Sequence, residues 1–324
     1  MRVLSAIQPS GTLHLGNYFG SIKPNLDLAA SASDSVYFIA DLHALTTVQD
    51  AEKLRQYRVD AALDLLACGL DPVKTTLFYQ SDVSAHAELA WILSTVTPMG
   101  LLERAVSYKD KVEKGITASV GLFTYPVLMA TDILLYHADT VPVGKDQKQH
   151  VEMIRDIAIK FNNTFDTVFT LPEPKIMDDV AVVPGTDGQK MSKSYGNTIP
   201  LFGDEKVIKK AISGIVTDSK GVEEKKDPDT CTVFKIHRLF LSESEQKDLA
   251  AKYKAGGLGY GDAKKMLLET YMDVFSPMRE ARAALEKKPK EVAAILAEGA
   301  KKASERASET LHAVFQATGL APSA

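Results

Sequence analysis

The sequence predicts an α/β protein, a doubly wound, Rossmann-like parallel sheet followed by an all-helical second part. Three observations carry this. Short segments that are apolar throughout, such as Val36-Tyr37-Phe38-Ile39-Ala40, read as strands covered on both faces. They alternate with stretches of helical length and spacing, the pattern of βαβ units. The alternation stops near residue 185, and beyond it only helical periodicity is found.

Taken in order, residues 2–7 form a short buried strand, broken by Gln8-Pro9-Ser10-Gly11. A helical pattern then runs from about Leu15 to Ala30. Thr12-Leu13-His14-Leu15-Gly16-Asn17 therefore sits where a strand turns into a helix and free N–H groups gather, a natural anion site. Gly16 lets the backbone come close to a ligand, and Asn17 adds an amide donor. Neither GxGxxG nor GxxxxGK[ST] is present, so neither a dinucleotide fingerprint nor a Walker loop applies. Residues 36–40 are the second strand, with Asp41 and His43 at its end. A helix from about Ala51 to Cys68 is closed by Gly69 and Asp71-Pro72. Residues 75–80 form the third strand, and helices follow near 86–97, 99–109 and 119–136. Residues 139–143 form the fourth, and Gly144-Lys145-Asp146-Gln147 opens a helix to about Asn162. Ligands of such sheets lie beyond the strand C-termini, where Asp41, His43, Gly144, Asp146 and Gln147 fall. In the second part helices are expected at 204–215, 231–242, 243–254, 261–287 and 290–317.

A chain of 324 residues is long enough for two domains, and 45% hydrophobic with 25% charged residues is ordinary for a globular protein. The two cysteines, Cys68 and Cys231, have no metal-type spacing, which argues against a disulfide scaffold and a structural metal. The N-terminus lacks a signal-peptide pattern and no apolar run reaches membrane-spanning length, so a cytoplasmic protein without a membrane partner is expected. The net charge of −4 is unevenly spread. Residues 1–185 hold 15 basic against 22 acidic side chains, residues 186–324 hold 23 against 20. That basic excess is weak evidence for a phosphate-backbone partner.

The densest chemistry lies between the two parts, in Lys190-Met191-Ser192-Lys193-Ser194, within a segment rich in turn formers. Two ammonium groups and two hydroxyls make a mobile donor set suited to a polyanion; a solvated linker would look the same. A second feature is Asp132, inside an apolar helix where an unpaired carboxylate is costly. Tyr125, Met129 and Asp132 share one helix face by their spacing.

Together these stretches carry a resemblance. Pro9-Ser10-Gly11-Thr12-Leu13-His14-Leu15-Gly16-Asn17 and the Lys190–Ser194 run are similar to the two signature motifs of class I aminoacyl-tRNA synthetases. Residues 5–11, 125–136, 143–150 and Glu298-Gly299-Ala300 resemble the bacterial tryptophanyl branch, and the likeness covers nearly the whole chain. It implies activation of L-tryptophan by ATP with Mg²⁺, the metal arriving with the nucleotide, and transfer to tRNA(Trp) by a homodimer. It also implies a catalytic domain over 1–185, the charged loop over 186–198, a helical anticodon-binding domain over 199–290, and a C-terminal helix over 291–324 that packs back on the catalytic domain.

By the same resemblance Gln8, Pro9, Ser10, Gly16 and Asn17 line the ATP site, and Gly144, Lys145, Asp146 and Gln147 lie by the ribose. Val183 meets the adenine, while Lys190, Met191, Ser192, Lys193, Ser194, His14 and Lys111 surround the phosphates. Asp132, Tyr125, Met129, Gln147, His43, Val141 and Val143 form the tryptophan pocket, where an acceptor-only carboxylate suits the donor-only indole N–H. Adenylate formation needs no general base, which fits the absence of any Ser/His/Asp triad. The chain departs from the family at Leu4, where many members have Phe, and at Ala6, where many have Gly. Two rivals stay open from the sequence: a tyrosyl-tRNA synthetase, since the tyrosine hydroxyl would also suit Asp132, and a synthetase-like protein that binds RNA without catalysis.

Overall fold

A computed structural model describes residues 1–105, 119–138, 140–143, 148–176 and 182–321. Its centre is a parallel sheet of five strands: β1 (Arg2–Ile7), β2 (Asp34–Ile39), β3 (Thr75–Tyr79), β4 (Thr140–Val143) and β5 (Glu173–Ile176). They lie in the order β3-β2-β1-β4-β5, every pair parallel, with β1 in register against β2 from Arg2–Asp34 to Ile7–Ile39. The doubly wound α/β sheet predicted from the sequence is present. The fifth strand was not predicted, because Glu173-Pro174-Lys175-Ile176 has little apolar content and an internal proline. A proline is tolerated at a sheet edge, and β5 is an edge strand.

The pleat divides the core in two. Tyr37 and Ile39 of β2 join one apolar cluster with Leu15, Leu65 and Leu77, while Val36 and Phe38 join another with Leu89, Ile133 and Ile154. Residues 15–31 are helical without interruption, as α1 (Leu15–Asn17), a π-helical turn (Tyr18–Ile22) and α2 (Lys23–Ser31). After β2 come α3 (Asp41–Ala44) and α4 (Ala51–Ala67), whose first turn is capped by Asp50 accepting the Glu52 and Lys53 N–H groups. A 3₁₀ turn (Gln80–Asp82) leads from β3 into α5 (Ala85–Val96) and α6 (Met99–Leu102). The helix expected over 99–109 thus ends early within the described residues. α7 (Val120–Leu134) and α8 (Lys148–Thr164) complete this part.

Beyond the charged loop lie α9 (Glu205–Ser213), α10 (Thr232–His237), α11 (Glu243–Ala255), α12 (Tyr260–Glu286) and α13 (Pro289–Thr318). The helix expected over 231–242 is shorter and ends in a 3₁₀ turn at Arg238–Phe240. Ring packing and ion pairs help fix these helices to the first part. Tyr18 and Phe19 meet Phe275 and Phe240 edge-on, each at 5.0 Å between ring centres. Arg282 of α12 reaches α4, with Nε 2.5 Å from Asp64 and Nη2 2.7 Å from Asp60. Burial pushes the Asp64 carboxyl up to about 6, against the pull of Arg282.

α13 crosses the sheet edge. Val292 and Leu296 lie in the first core cluster; Ala303, Ala307, Leu311 and Val314 lie in the second. Between them Gly299 passes β3 so closely that a Cβ there would fall 1.8 Å from the Leu77 carbonyl oxygen. The helix thereby covers the exposed edge of β3.

Candidate functional site

The site is built where the charged loop meets the turn after β1. The chain leaves β1, turns at Gly11 (φ +110°, a conformation that favours glycine) and enters α1 at His14. The loop's exit strand runs alongside this turn. Leu15 N–H donates to Ile199 O at 3.0 Å, and Leu201 N–H donates to Leu13 O at 2.8 Å. Gly16 N–H points at the Met191 sulfur at 3.3 Å. Two motifs some 175 residues apart are thus in direct contact.

Met191 is buried at 4% exposure in the same cluster as Leu15 and Val183, and burying a methionine is worth about 2 kcal/mol, so it anchors the loop. Asn197, equally buried, ties the loop's ends. Its Oδ1 accepts Ser192 N–H at 2.8 Å, its Nδ2 donates to Asp187 Oδ1 at 2.8 Å and to Lys190 O at 3.1 Å, and its backbone O takes Thr186 N–H at 2.9 Å. The segment expected to be a mobile donor set is therefore fastened at its stem, while Lys190, Lys193 and Ser194 stay exposed. The Ser192 and Ser194 hydroxyls are 2.9 Å apart. Lys193 bends back so that its Nζ lies 3.6 Å from where a Gly11 Cβ would be. Partial burial of that end pulls its pKa below the usual lysine value, and the Asp64 carboxylate opposes this.

His14 is buried beside Gly16, and a Cβ on Gly16 would come within 2.9 Å of its ring. Burial first, then the Lys193 charge, lower its pKa to about 4, so the imidazole is neutral near pH 7. Its backbone N–H donates to Asn17 Oδ1 at 3.1 Å, which leaves the Asn17 amino group outside that bond. Gln8 is exposed, its Nε2 3.4 Å from His43 O and Thr47 Oγ1; Pro9 is buried and Ser10 exposed. Val183 is buried, and its carbonyl accepts Met191 N–H at 2.9 Å. Lys111, Gly144, Lys145, Asp146 and Gln147 lie outside the described residues; Val143 ends β4.

A second group surrounds Asp132 of α7, 3% exposed. His43 Nε2 is 2.8 Å from Oδ2; Gln80 Nε2 and His86 Nδ1 are 2.6 and 2.7 Å from Oδ1. Burial pushes its pKa up, but the bonds from His43 and His86 prevail and the net shift is downward. Met129 is half-buried on the same helix face, and Val141 is buried in the adjoining core. Tyr125 pairs with His150, its hydroxyl 2.6 Å from Nε2. Asp41 holds the frame: it accepts Ser81 N–H at 2.9 Å and Ser81 Oγ–H at 2.6 Å, with Arg58 Nε 2.8 Å away.

Sequence reasoning missed Gln80, His86 and Tyr136 around Asp132, His150 beside Tyr125, and Asn197. Gln80 stands at the C-terminal end of β3, so the strand-end rule used for β2 and β4 would have found it. Nothing in the sequence marks Asn197.

A family model described as class I tRNA synthetases (W and Y) matches residues 1–276. The tryptophan–tRNA ligase of Rhodopirellula baltica is 53% identical over 320 residues, covering 99% of this chain and 100% of that protein. The tryptophan–tRNA ligase of Campylobacter jejuni is 54% identical over 320 residues, again covering 99% of this chain and 100% of that protein. Among solved structures, the Campylobacter jejuni tryptophanyl-tRNA synthetase complexed with ADP and tryptophan superposes with a TM-score of 0.93 at 54% identity, covering 98% of this chain and 100% of that one. The Mycoplasma pneumoniae enzyme gives a TM-score of 0.82 at 31% identity, covering 99% and 98%.

Proposed function

From the premise that the chain belongs to the class I tRNA synthetases of the tryptophan and tyrosine group, we infer that it uses ATP to join L-tryptophan to its tRNA. Its activity is that of a tryptophan–tRNA ligase, and the tyrosyl and non-catalytic alternatives are not favoured. The observation that carries the chemistry is the contact of the two motifs through Gly16 and Met191. It brings the lysine-bearing loop against the start of the helix at Leu15, which supports a donor set for the phosphates of ATP.

On this reading the tryptophan carboxylate attacks the α-phosphorus, the bond to the bridging oxygen breaks, and pyrophosphate leaves with its electron pair. The terminal adenosine hydroxyl of tRNA then attacks the tryptophan carbonyl and AMP leaves. Lys190, Lys193 and the Asn17 amino group act on the phosphate charge. Gln8, Ser10 and Gly16 border the nucleotide, and Gly144, Lys145, Asp146, Gln147 and Lys111 keep the roles that the family resemblance implies. Mg²⁺ enters with ATP as part of the substrate. Asp132 accepts the indole N–H between Met129 and Val141, with His43 and Tyr125 beside the amino acid. Residues 199–290 read the anticodon, a role supported by their helical character.

A second copy is the expected protein partner. Trp91, Met99 and Val120 are 74, 63 and 79% exposed on α5, α6 and α7, large apolar side chains whose burial against a second copy would be favourable. Charging of tRNA with labelled tryptophan in the presence of ATP tests the function. Absence of tRNA-bound label would overturn it.

A further inference from the structure

We propose that Gln80, His86 and Tyr136 are positioning residues for indole recognition: Gln80 and His86, the latter held by Tyr136, saturate one oxygen of Asp132, and with His43 on the other oxygen a single acceptor position remains there. The inference rests on the reading that Asp132 receives the indole N–H.

An ionised carboxylate is acceptor-only, with about two lone-pair positions on each oxygen. Among the described residues, Oδ1 takes both the Gln80 amide and the His86 ring, at 2.6 and 2.7 Å. Oδ2 takes His43 alone, at 2.8 Å. One position on Oδ2 is left for a substrate donor.

The three residues are themselves held in one orientation. Gln80 Oε1 accepts Leu42 N–H at 3.2 Å; a backbone N–H can only donate, so the Gln80 amino group must face Asp132. His86 is fully buried and lies among the Phe38, Phe78 and Tyr136 rings. Its Nδ1 faces an ionised carboxylate and must carry the proton, and its Nε2 faces the Tyr136 hydroxyl at 2.8 Å. Tyr136 is 2% exposed, and burial, with Asp132 nearby, raises its pKa far above the ordinary phenol value, so it remains a donor. The chain Tyr136 to His86 to Asp132 therefore runs in one direction. It keeps any O–H of a protonated carboxyl from confronting the indole N–H.

A plain core histidine would make the same contacts but would not act on the indole nitrogen selectively. The test therefore uses 3-(benzothiophen-3-yl)-L-alanine, in which sulfur replaces the indole N–H. The ratio of kcat/KM for tryptophan over this analogue is measured by pyrophosphate exchange in the unaltered protein and in Tyr136→Phe, His86→Leu and His86→Asn. Tyr136→Phe is expected to lower the ratio about five- to tenfold, the worth of one buried hydrogen bond, through KM for tryptophan and with the analogue little changed. His86→Asn, which keeps a donor near the Nδ1 position, should retain more of the ratio than His86→Leu. Parallel losses for tryptophan and analogue, or an unchanged ratio in Tyr136→Phe, would overturn the proposal; Tyr136→Phe decides if His86→Leu does not fold. Failure of the unaltered protein to prefer tryptophan over the analogue would instead sink the Asp132 reading, and this inference with it.

Discussion

Gly185→Ala probes the loop stem directly. A Cβ at Gly185 would lie 2.3 Å from Cγ and Nδ2 of Asn197 and 2.8 Å from its backbone oxygen, where ordinary contact begins near 3.4 Å. Asn197 must move by roughly 1 Å, which breaks bonds made at 2.8–3.1 Å. Three side-chain hydrogen bonds at about 1 kcal/mol each amount to about 3 kcal/mol, roughly a hundredfold in the ratio of ordered to disordered loop. If Lys190 and Lys193 act from the ordered loop, single-turnover adenylate formation should slow by up to that factor. Asn197→Ala removes the same bonds without the clash and should move the rate in the same direction. Quench-flow measurement of adenylate provides the assay. Unchanged rates in both folded variants would refute the reasoning.

Three other perturbations test separate parts. Lys193→Ala should slow adenylate formation about a hundredfold with little change in tryptophan affinity, as expected of a charge acting on the transition state; an unchanged activation rate would remove Lys193 from the mechanism. Asp132→Asn would turn an amide N–H toward donors already aimed at that position, and should weaken selection against phenylalanine and tyrosine about tenfold or more. Unaltered discrimination would refute the role given to Asp132. Gly299→Ala would press a methyl group into the Leu77 carbonyl. Overpacking of about 3 kcal/mol, less about 1 kcal/mol of helix propensity, leaves about 2 kcal/mol of lost stability and a Tm lower by roughly 3 °C. A raised Tm would contradict the close crossing of α13 over β3.

The parts legible in the sequence are those with a strong local pattern. Residues 36–40 and 51–68 announce a buried strand and its following helix, and both form within a residue or two of the expected limits. The Lys190–Ser194 run and the His14 turn are legible as donor-rich punctuation. What brings them together is not: it depends on the Met191 sulfur meeting Gly16 N–H and on Asn197 closing the stem. Asp132 stands out as a carboxylate in an apolar helix. Its partners Gln80 and His86 come from 52 and 46 residues away and carry no periodic signal. β5 was hidden because edge strands tolerate the proline that argues against a central one.

Amino-acid-dependent exchange of pyrophosphate into ATP, run on the purified chain with each amino acid in turn, tests the central claim most directly. The account predicts exchange with tryptophan and at most a trace with tyrosine or phenylalanine. Exchange supported by tyrosine alone, or none with any amino acid, would contradict it.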